Sequence, residues 1–239
     1  MIMKPFRRRC SLVGEISQEL LTRIQRMNSR GQEELPAERA LAQEMGVSRP
    51  VMREALKWLQ SQGLVEVQHG VGNRVVNRLH KPVGVAMSLQ VPDPRARLRQ
   101  LMEARLILEP EMARLAAGRI NLRQRNRLRH LQTKLGVCNA AQEAIEYDVE
   151  FHRVLAEASG NDVLLLMMRS VAELQKESRA ITLAHSGIAL VCTHHEQILK
   201  AVERGDADAA AQAMRHHLET AAQDLARQLS SMSTKKVIR

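Results

Sequence analysis

The chain has 239 residues, 36 Lys and Arg against 26 Asp and Glu, and a formal net charge of +10. That length fits one or two domains with a core that needs no staples, and a 44% apolar fraction excludes a disordered chain. Cys10, Cys138 and Cys192 are odd in number and far apart, which excludes a disulfide framework or a Cys-x-x-Cys zinc site and fits a reducing cytoplasm. No apolar run approaches the ~18 residues of a membrane-spanning helix. The basic start Met1 to Arg9 lacks the following apolar stretch of a secretion signal.

Two Phe, one Trp and one Tyr are too few aromatics for a β-rich core or for stacking single-stranded bases. Abundant Leu, Ala, Met, Gln, Glu and Arg favour helix instead. Residues 1–80 hold 13 Lys and Arg against 8 Asp and Glu, and residues 81–239 hold 23 against 18, so the first part is about twice as basic per residue. A basic leading domain is the footprint expected of a protein that binds a phosphate backbone.

Ser11 caps a helix to about Met27, with Leu12, Ile16, Leu20 and Ile24 at four-residue steps. After a polar break at 28–34, a short helix is expected from Pro36 to Met45, a proline suiting a first turn. Gly46 ends it, and Ser48 caps a third helix from Arg49 to about Gln62. Leu64 to Gln68 alternates like a strand, His69-Gly70-Val71-Gly72 turns, and Asn73 to Val76 returns. Helix, helix-turn-helix and β-hairpin make a winged helix.

These residues, read as L-P-A-E-R-x-L-A, then G-V-S-R-P-x-x-R-E-A-L, G-L-V-E-V and G-x-G, closely resemble the GntR family of bacterial transcription regulators over about residues 11–77. The break before Leu35 lacks that family's Gly…Pro-Gly spacing, which leaves the shape of this loop open. The resemblance implies that the third helix enters the major groove and the wing tip the minor groove. It nominates Arg39, Ser48, Arg49, Arg53, His69 and Gly70 as DNA contacts. Physical chemistry agrees. Arg49 and Arg53, four apart at the open end of the helix, suit bidentate bonds to guanine. Ser48 and the helix N-terminus suit phosphate, and Gly70 admits close backbone approach.

Residues 78–96, with Pro82, Gly84, Pro92 and Pro94, read as a linker with one short helix near 83–89. Helices follow at about 95–118, 121–136, 140–158, 162–184, 187–204 and 207–230, with a frayed basic tail after Ser230. The expected fold is mainly α: an N-terminal winged helix-turn-helix with a small β-hairpin wing (1–78), a linker (79–94), and a C-terminal all-α antiparallel helical bundle (95–239). Arg119 to Lys134 holds six basic residues and no acid, read as a solvated helix face.

Asp148 and His152, four apart, project from one helix face. His195 shares a face with Val191, Ile198, Leu199 and Val202 and points inward, with His194 rotated outward. His217 lies with Ala213, Met214 and Ala221, whereas His216 sits beside Gln212 and Gln223. One carboxylate and three imidazoles thus converge, either as ligands for Zn, Ni, Fe or Mn or as hydrogen-bonded core histidines.

The stretch Arg99 to Pro110, the pair Asp148-x-x-x-His152, His195-x-x-Ile198-Leu199 and Met214 to Leu218 resemble the FCD effector domain of the FadR subfamily of GntR regulators. That resemblance implies a divalent metal, zinc first, held by Asp148, His152, His195 and His217, with a one-residue slip making His216 the ligand. A small organic or sugar acid would complete the shell. It also implies that Arg105 holds the effector carboxylate, the alternative being an ion pair with Glu109 one turn on. The expected protein is a cytoplasmic homodimer binding a short palindromic operator in double-stranded DNA, with half-sites of the GT…AC type and repression as the commoner behaviour. It is expected not to be an enzyme or to meet a membrane. A helical metalloenzyme and an effector-independent architectural DNA protein are the alternatives.

Overall fold

The computed structural model describes residues 11–28, 33–68 and 72–237. The chain divides into two compact units, one ending at Val85 and the other starting at Ala86. In the first unit, α1 (Leu12–Asn28) is followed by β1 (Glu34–Leu35), α2 (Glu38–Glu44), α3 (Arg49–Ser61), β2 (Val65–Gln68) and β3 (Gly72–Val75). The Ser11 hydroxyl accepts from Gly14 N at 3.2 Å, the expected cap of α1. Leu20, Ile24, Leu41, Met52, Leu56 and Leu59 form the core with Val65 and Val75 from the sheet. The apolar stripes of the helices and one face of the hairpin therefore meet on a single side.

Three expectations change here. The sheet has three strands in the order β1-β3-β2, all antiparallel, with Leu35 opposite Asn73 and Val65 opposite Val75. Two residues of strand carry no readable alternation, so β1 was invisible in the sequence. Pro36 lies outside α2 because its carbonyl is held by the Asn73 side chain at 2.9 Å; the helix starts at Glu38. Ser48 occupies the N-cap position of α3 in an extended conformation, but its side chain makes no capping bond.

The turn between α3 and β2 depends on Gly63, with φ of +74°; a Cβ there would overlap the carbonyl of Arg78. The segment expected to be a linker carries α4 (His80–Gln90), longer than the short helix foreseen and without a buried residue.

The second unit contains α5 (Pro94–Arg119), α6 (Leu122–Val137), α7 (Ala141–Ala158), α8 (Asp162–Ser170), α9 (Ala172–Ser186), α10 (Ile188–Glu203) and α11 (Ala207–Val237). Side-chain caps start four of them: Asp93 on α5, Asn121 with Gln124 as a capping box on α6, Asn161 on α8 and Asp206 on α11. Helix α5 packs along α11, and α6 along α7. The small residues Ala113, Ala116 and Ala210 share a core with Leu128, Phe151, Ile198, Met214 and Leu218.

The helix expected over 162–184 is two helices. Val171, with ψ near 5°, interrupts the ladder between α8 and α9. No Gly or Pro marks that break, so apolar periodicity ran through it. Helix α11 continues to Val237, where a frayed tail was expected after Ser230. In the basic stretch, Arg127 on α6 pairs with Glu150, Arg129 Nε lies 2.5 Å from Glu203, and Arg119 at the end of α5 donates to the Ser159 carbonyl at 2.6 Å. Arg127 and Arg129 are thus engaged by the bundle's own acids.

Candidate nucleic-acid interface and metal centre

On the first unit, the N-terminal turn of α3 presents Arg49 and Arg53, with side chains 61% and 50% exposed. Both reach Glu38 at the start of α2. Arg53 donates Nε to Oε2 at 3.0 Å and Nη2 to Oε1 at 2.9 Å, and Arg49 donates Nε to Oε1 at 3.4 Å. The Arg53 guanidinium holds Glu38 below the usual carboxylate range. Arg39 and Ser48 are exposed beside them. His69 and Gly70, expected at the wing tip, lie outside the described residues. In the sequence Glu38 carries only a helical signal. Its role as an arginine clasp depends on the crossing of α2 and α3, which sequence spacing does not give.

In the second unit, α7 carries Asp148 and His152 on its inner face, α10 carries His195 and α11 carries His217. All four are at most 2% exposed. One ligand atom from each lies within 4.8 Å of the others. His195 Nε2 is 3.3 Å from Asp148 Oδ1, and His152 Nε2 is 4.0 Å from Asp148 Oδ2. The rings of His152 and His195 stand 4.9 to 5.3 Å from that of His217 or from each other. Phe151 stacks on His195 at 4.0 Å and fixes its plane.

His216 is exposed, so the one-residue slip does not bring it to this cluster. His194, expected to face outward, is buried, its ring 5.0 Å from His216 and 5.7 Å from His217. Helix α10 packs against α5, α6, α9 and α11, so more than one face of it is covered.

Two further buried residues hold the cluster. Glu109 on α5 lies 2.5 Å from His152 Nδ1 and receives Nε and Nη2 of Arg105. Arg179 on α9 donates Nη2 to His152 Nε2 at 2.8 Å and pairs with Asp148. A guanidinium can only donate, so His152 Nε2 is unprotonated and its proton sits on Nδ1, facing Glu109. Arg105 is thus ion-paired one turn along its own helix, with Nη1 left without a partner. Arg179 carried no sequence signal, since its helix was merged with the preceding one and its neighbours form no motif.

Burial, only partly offset by Glu109, lowers the His152 pKa to about 4. Burial and the neighbouring His195 and His152 push His217 well below its ordinary value. Asp148 is held far down despite burial, chiefly by Arg179 and His195. Glu109 is likewise lowered despite burial, by Arg105 and His152. At neutral pH His152 and His217 are therefore neutral imidazoles and Asp148 a charged carboxylate, the protonation states a metal needs.

Among the described residues, both ring nitrogens of His217 and Nδ1 of His195 are buried without a partner, and the oxygens of Asp148 meet only the ion pairs to Arg179 and His195. Orphaned buried polar atoms are costly, and so many in one place call for a common partner. Three imidazole nitrogens and one carboxylate oxygen fit a divalent metal with positions left over. A narrow cleft of about 10 Å³ reaches Asp148, Arg179 and His217 between Thr182, His194 and Thr220. That volume admits about one water. Arg105 borders a separate apolar cavity of about 340 Å³ with Leu101, Leu108 and Met168.

Residues 12–75 match the model of the bacterial regulatory proteins, gntR family, and residues 100–220 match the FCD domain. The HTH-type transcriptional regulator LutR of Bacillus subtilis is 32% identical over 197 residues, covering 78% of this chain and 88% of that protein. The Exu regulon transcriptional regulator of Escherichia coli K12 is 30% identical over 216 residues, covering 87% and 82%. Among solved structures, Streptococcus agalactiae GntR superposes with a TM-score of 0.73 at 26% identity, covering 88% of this chain and 99% of that one. The chain belongs to the GntR family of bacterial regulatory proteins and carries an FCD domain behind its winged helix. Its relatives are transcription regulators and not enzymes, which sets the metalloenzyme alternative aside.

Proposed function

We propose that this GntR-family regulator is a cytoplasmic homodimer whose operator binding is controlled by a small organic or sugar acid at a metal centre in the FCD domain. The observation that carries the reading is the convergence of Asp148, His152, His195 and His217 in the interior, with the ring nitrogens of His217 left without a partner. Zinc suits this donor set first, with Ni, Fe and Mn as alternatives. When bound, the metal supplies a Lewis-acidic position for a carboxylate oxygen; everything else is done by the chain.

Charge supports an anionic effector. The fully buried ions Arg105, Arg179, Glu109 and Asp148 sum to zero. A dication leaves an excess of positive charge out of water even when one buried arginine is displaced, and an acid offsets it. Glu109 fixes the tautomer of His152, and Arg105 fixes Glu109. Arg105 Nη1 remains unpaired for a carboxylate, the role the sequence suggested.

On the DNA side, Arg49 and Arg53 read base edges in the major groove. Ser48 and Arg39 engage phosphate, and His69 and Gly70 carry the wing to the minor groove. A two-fold dimer matches a short palindrome. Repression follows if the acid favours an arrangement of the FCD domains in which the paired winged helices no longer fit both half-sites. It does so only by binding two arrangements with different affinity.

The test is a melt of the zinc-loaded protein against a panel of small organic and sugar acids, with a chelator-treated control. An acid at about 100 times its dissociation constant adds ~2.7 kcal/mol. A metal-dependent shift, paired with a change in operator affinity, is expected. Sequence-independent DNA binding untouched by every acid would instead favour an architectural protein.

A further inference from the structure

We propose that Arg179 is the resident cation of the metal-free centre, and that a divalent metal gains Asp148 and His152 only by expelling it. The inference rests on the metal-centre reading above and concerns how that site is regulated.

The argument starts from His152. Its Nδ1 is engaged by Glu109 at 2.5 Å, so Nε2 is the nitrogen left for a metal. An imidazole nitrogen has one lone pair, and Arg179 Nη2, at 2.8 Å, already points a proton at it. The same guanidinium pairs with Asp148, the carboxylate of the ligand set. Metal and guanidinium therefore compete for the same two residues. His217 differs, since neither ring nitrogen has a partner to give up, and His195 meets only Asp148, itself a residue of the ligand set. The other buried arginine, Arg105, bonds Glu109 through Nε and Nη2, and neither bond reaches a ligand residue.

Burial sharpens the exclusion. Arg179 is 2% exposed and Asp148 fully buried. Without a cation, the Asp148 carboxylate would be an uncompensated buried charge; with both cations, the pocket would hold an excess of positive charge. Each state therefore requires one cation and disfavours two. Arg179 also borders the narrow cleft with Thr182, His194 and Thr220, so its guanidinium has a way out. Its departure widens a passage that otherwise admits about one water.

The experiment compares zinc affinity, by competition with a chromophoric chelator, and metal-free melting temperature in the full chain. The variants are wild type, Arg179→Met, Arg179→Lys and His152→Ala. Arg179→Met should bind zinc about ten- to a hundredfold tighter, the scale of removing one charge-assisted hydrogen bond from the metal-free state. Its metal-free form should melt below wild type and be restored by zinc. Arg179→Lys, which keeps the charge, should lie between the two in affinity and covers the case in which the methionine variant does not fold.

Zinc affinity in Arg179→Met or Arg179→Lys equal to or below that of wild type, with binding still abolished by His152→Ala, overturns the role of Arg179 and leaves the metal centre standing. Zinc binding indifferent to His152→Ala, or absent from every protein, overturns the metal centre and this proposal with it. Zinc bound only by the Arg179→Met protein supports the competition in its strongest form.

Discussion

Glu109 and His152, 43 residues apart in the chain, meet through Oε2 and Nδ1 at 2.5 Å, and this contact decides which nitrogen of His152 faces the other ligand residues. A glutamate that the sequence offers only as an ion-pair partner for Arg105 is thus also the group that orients a ligand. Such outer contacts typically set metal affinity by 10- to 100-fold. Glu109→Gln keeps the shape but removes the charge. Zinc affinity should fall within that range, and the metal-free protein should lose roughly 3–5 kcal/mol because Arg105 is left buried without its counter-charge. Chelator competition and denaturant titration measure the two effects separately. Loss of stability with unchanged zinc affinity would confine Glu109 to its pairing with Arg105.

The pH dependence of the metal-free protein has a definite sign. The pKa of His152 is about 4 in the folded protein against an ordinary 6.5, and that of His217 is also lowered. Between those values the unfolded chain binds protons that the folded chain refuses, so stability rises with pH. The stabilisation is fully present above about pH 6.5 and is lost as pH falls toward 4. His152 alone accounts for roughly 3 kcal/mol of that loss. The lowered carboxylates Asp148 and Glu109 steepen the decline at the acid end. Melts from pH 7.5 to 4.5 with chelator should show this slope, and His152→Gln should flatten it. A melting temperature constant across that window would mean that the imidazoles are not held neutral.

Arg49→Ala should cost ~1–3 kcal/mol of operator affinity and relax preference at one base position. An equal loss on every sequence would assign Arg49 to phosphate instead. The clasp by Glu38 adds a second expectation. Glu38→Gln frees Arg49 and Arg53 from a carboxylate that competes with DNA for both. Non-specific DNA affinity should rise and its salt dependence steepen. Fluorescence anisotropy at several salt concentrations reads both quantities. A fall in operator affinity with Glu38→Gln would show that the clasp positions the arginines for binding.

Gly63→Ala tests the joint between the recognition helix and the wing. Positive φ and the clash with the Arg78 carbonyl act together, so a loss of more than ~1 kcal/mol is expected. It should appear as a lowered unfolding transition with weakened DNA binding, while zinc affinity is unchanged. A parallel fall in zinc affinity would show that the effect reaches the helical unit.

The features legible in the chain alone are local. Helical periodicity, Gly46, Gly63, Asn121 and Asn161 marked most helix boundaries, because caps and left-handed turns depend on residues a few positions apart. The same short-range logic placed Asp148 and His152 on one face and turned His195 and His217 inward, where the structure brings all four together. The break at Val171 escaped because no residue type announces it, and β1 escaped because two residues show no period. Tertiary structure alone decided the environment of those side chains. It set Arg179 against Asp148 and His152, Glu109 behind His152 and Glu38 across Arg49 and Arg53, and it buried His194 as well as His195. Contacts of that kind depend on how helices cross, and crossing follows from the packing of whole faces rather than from any spacing along one of them.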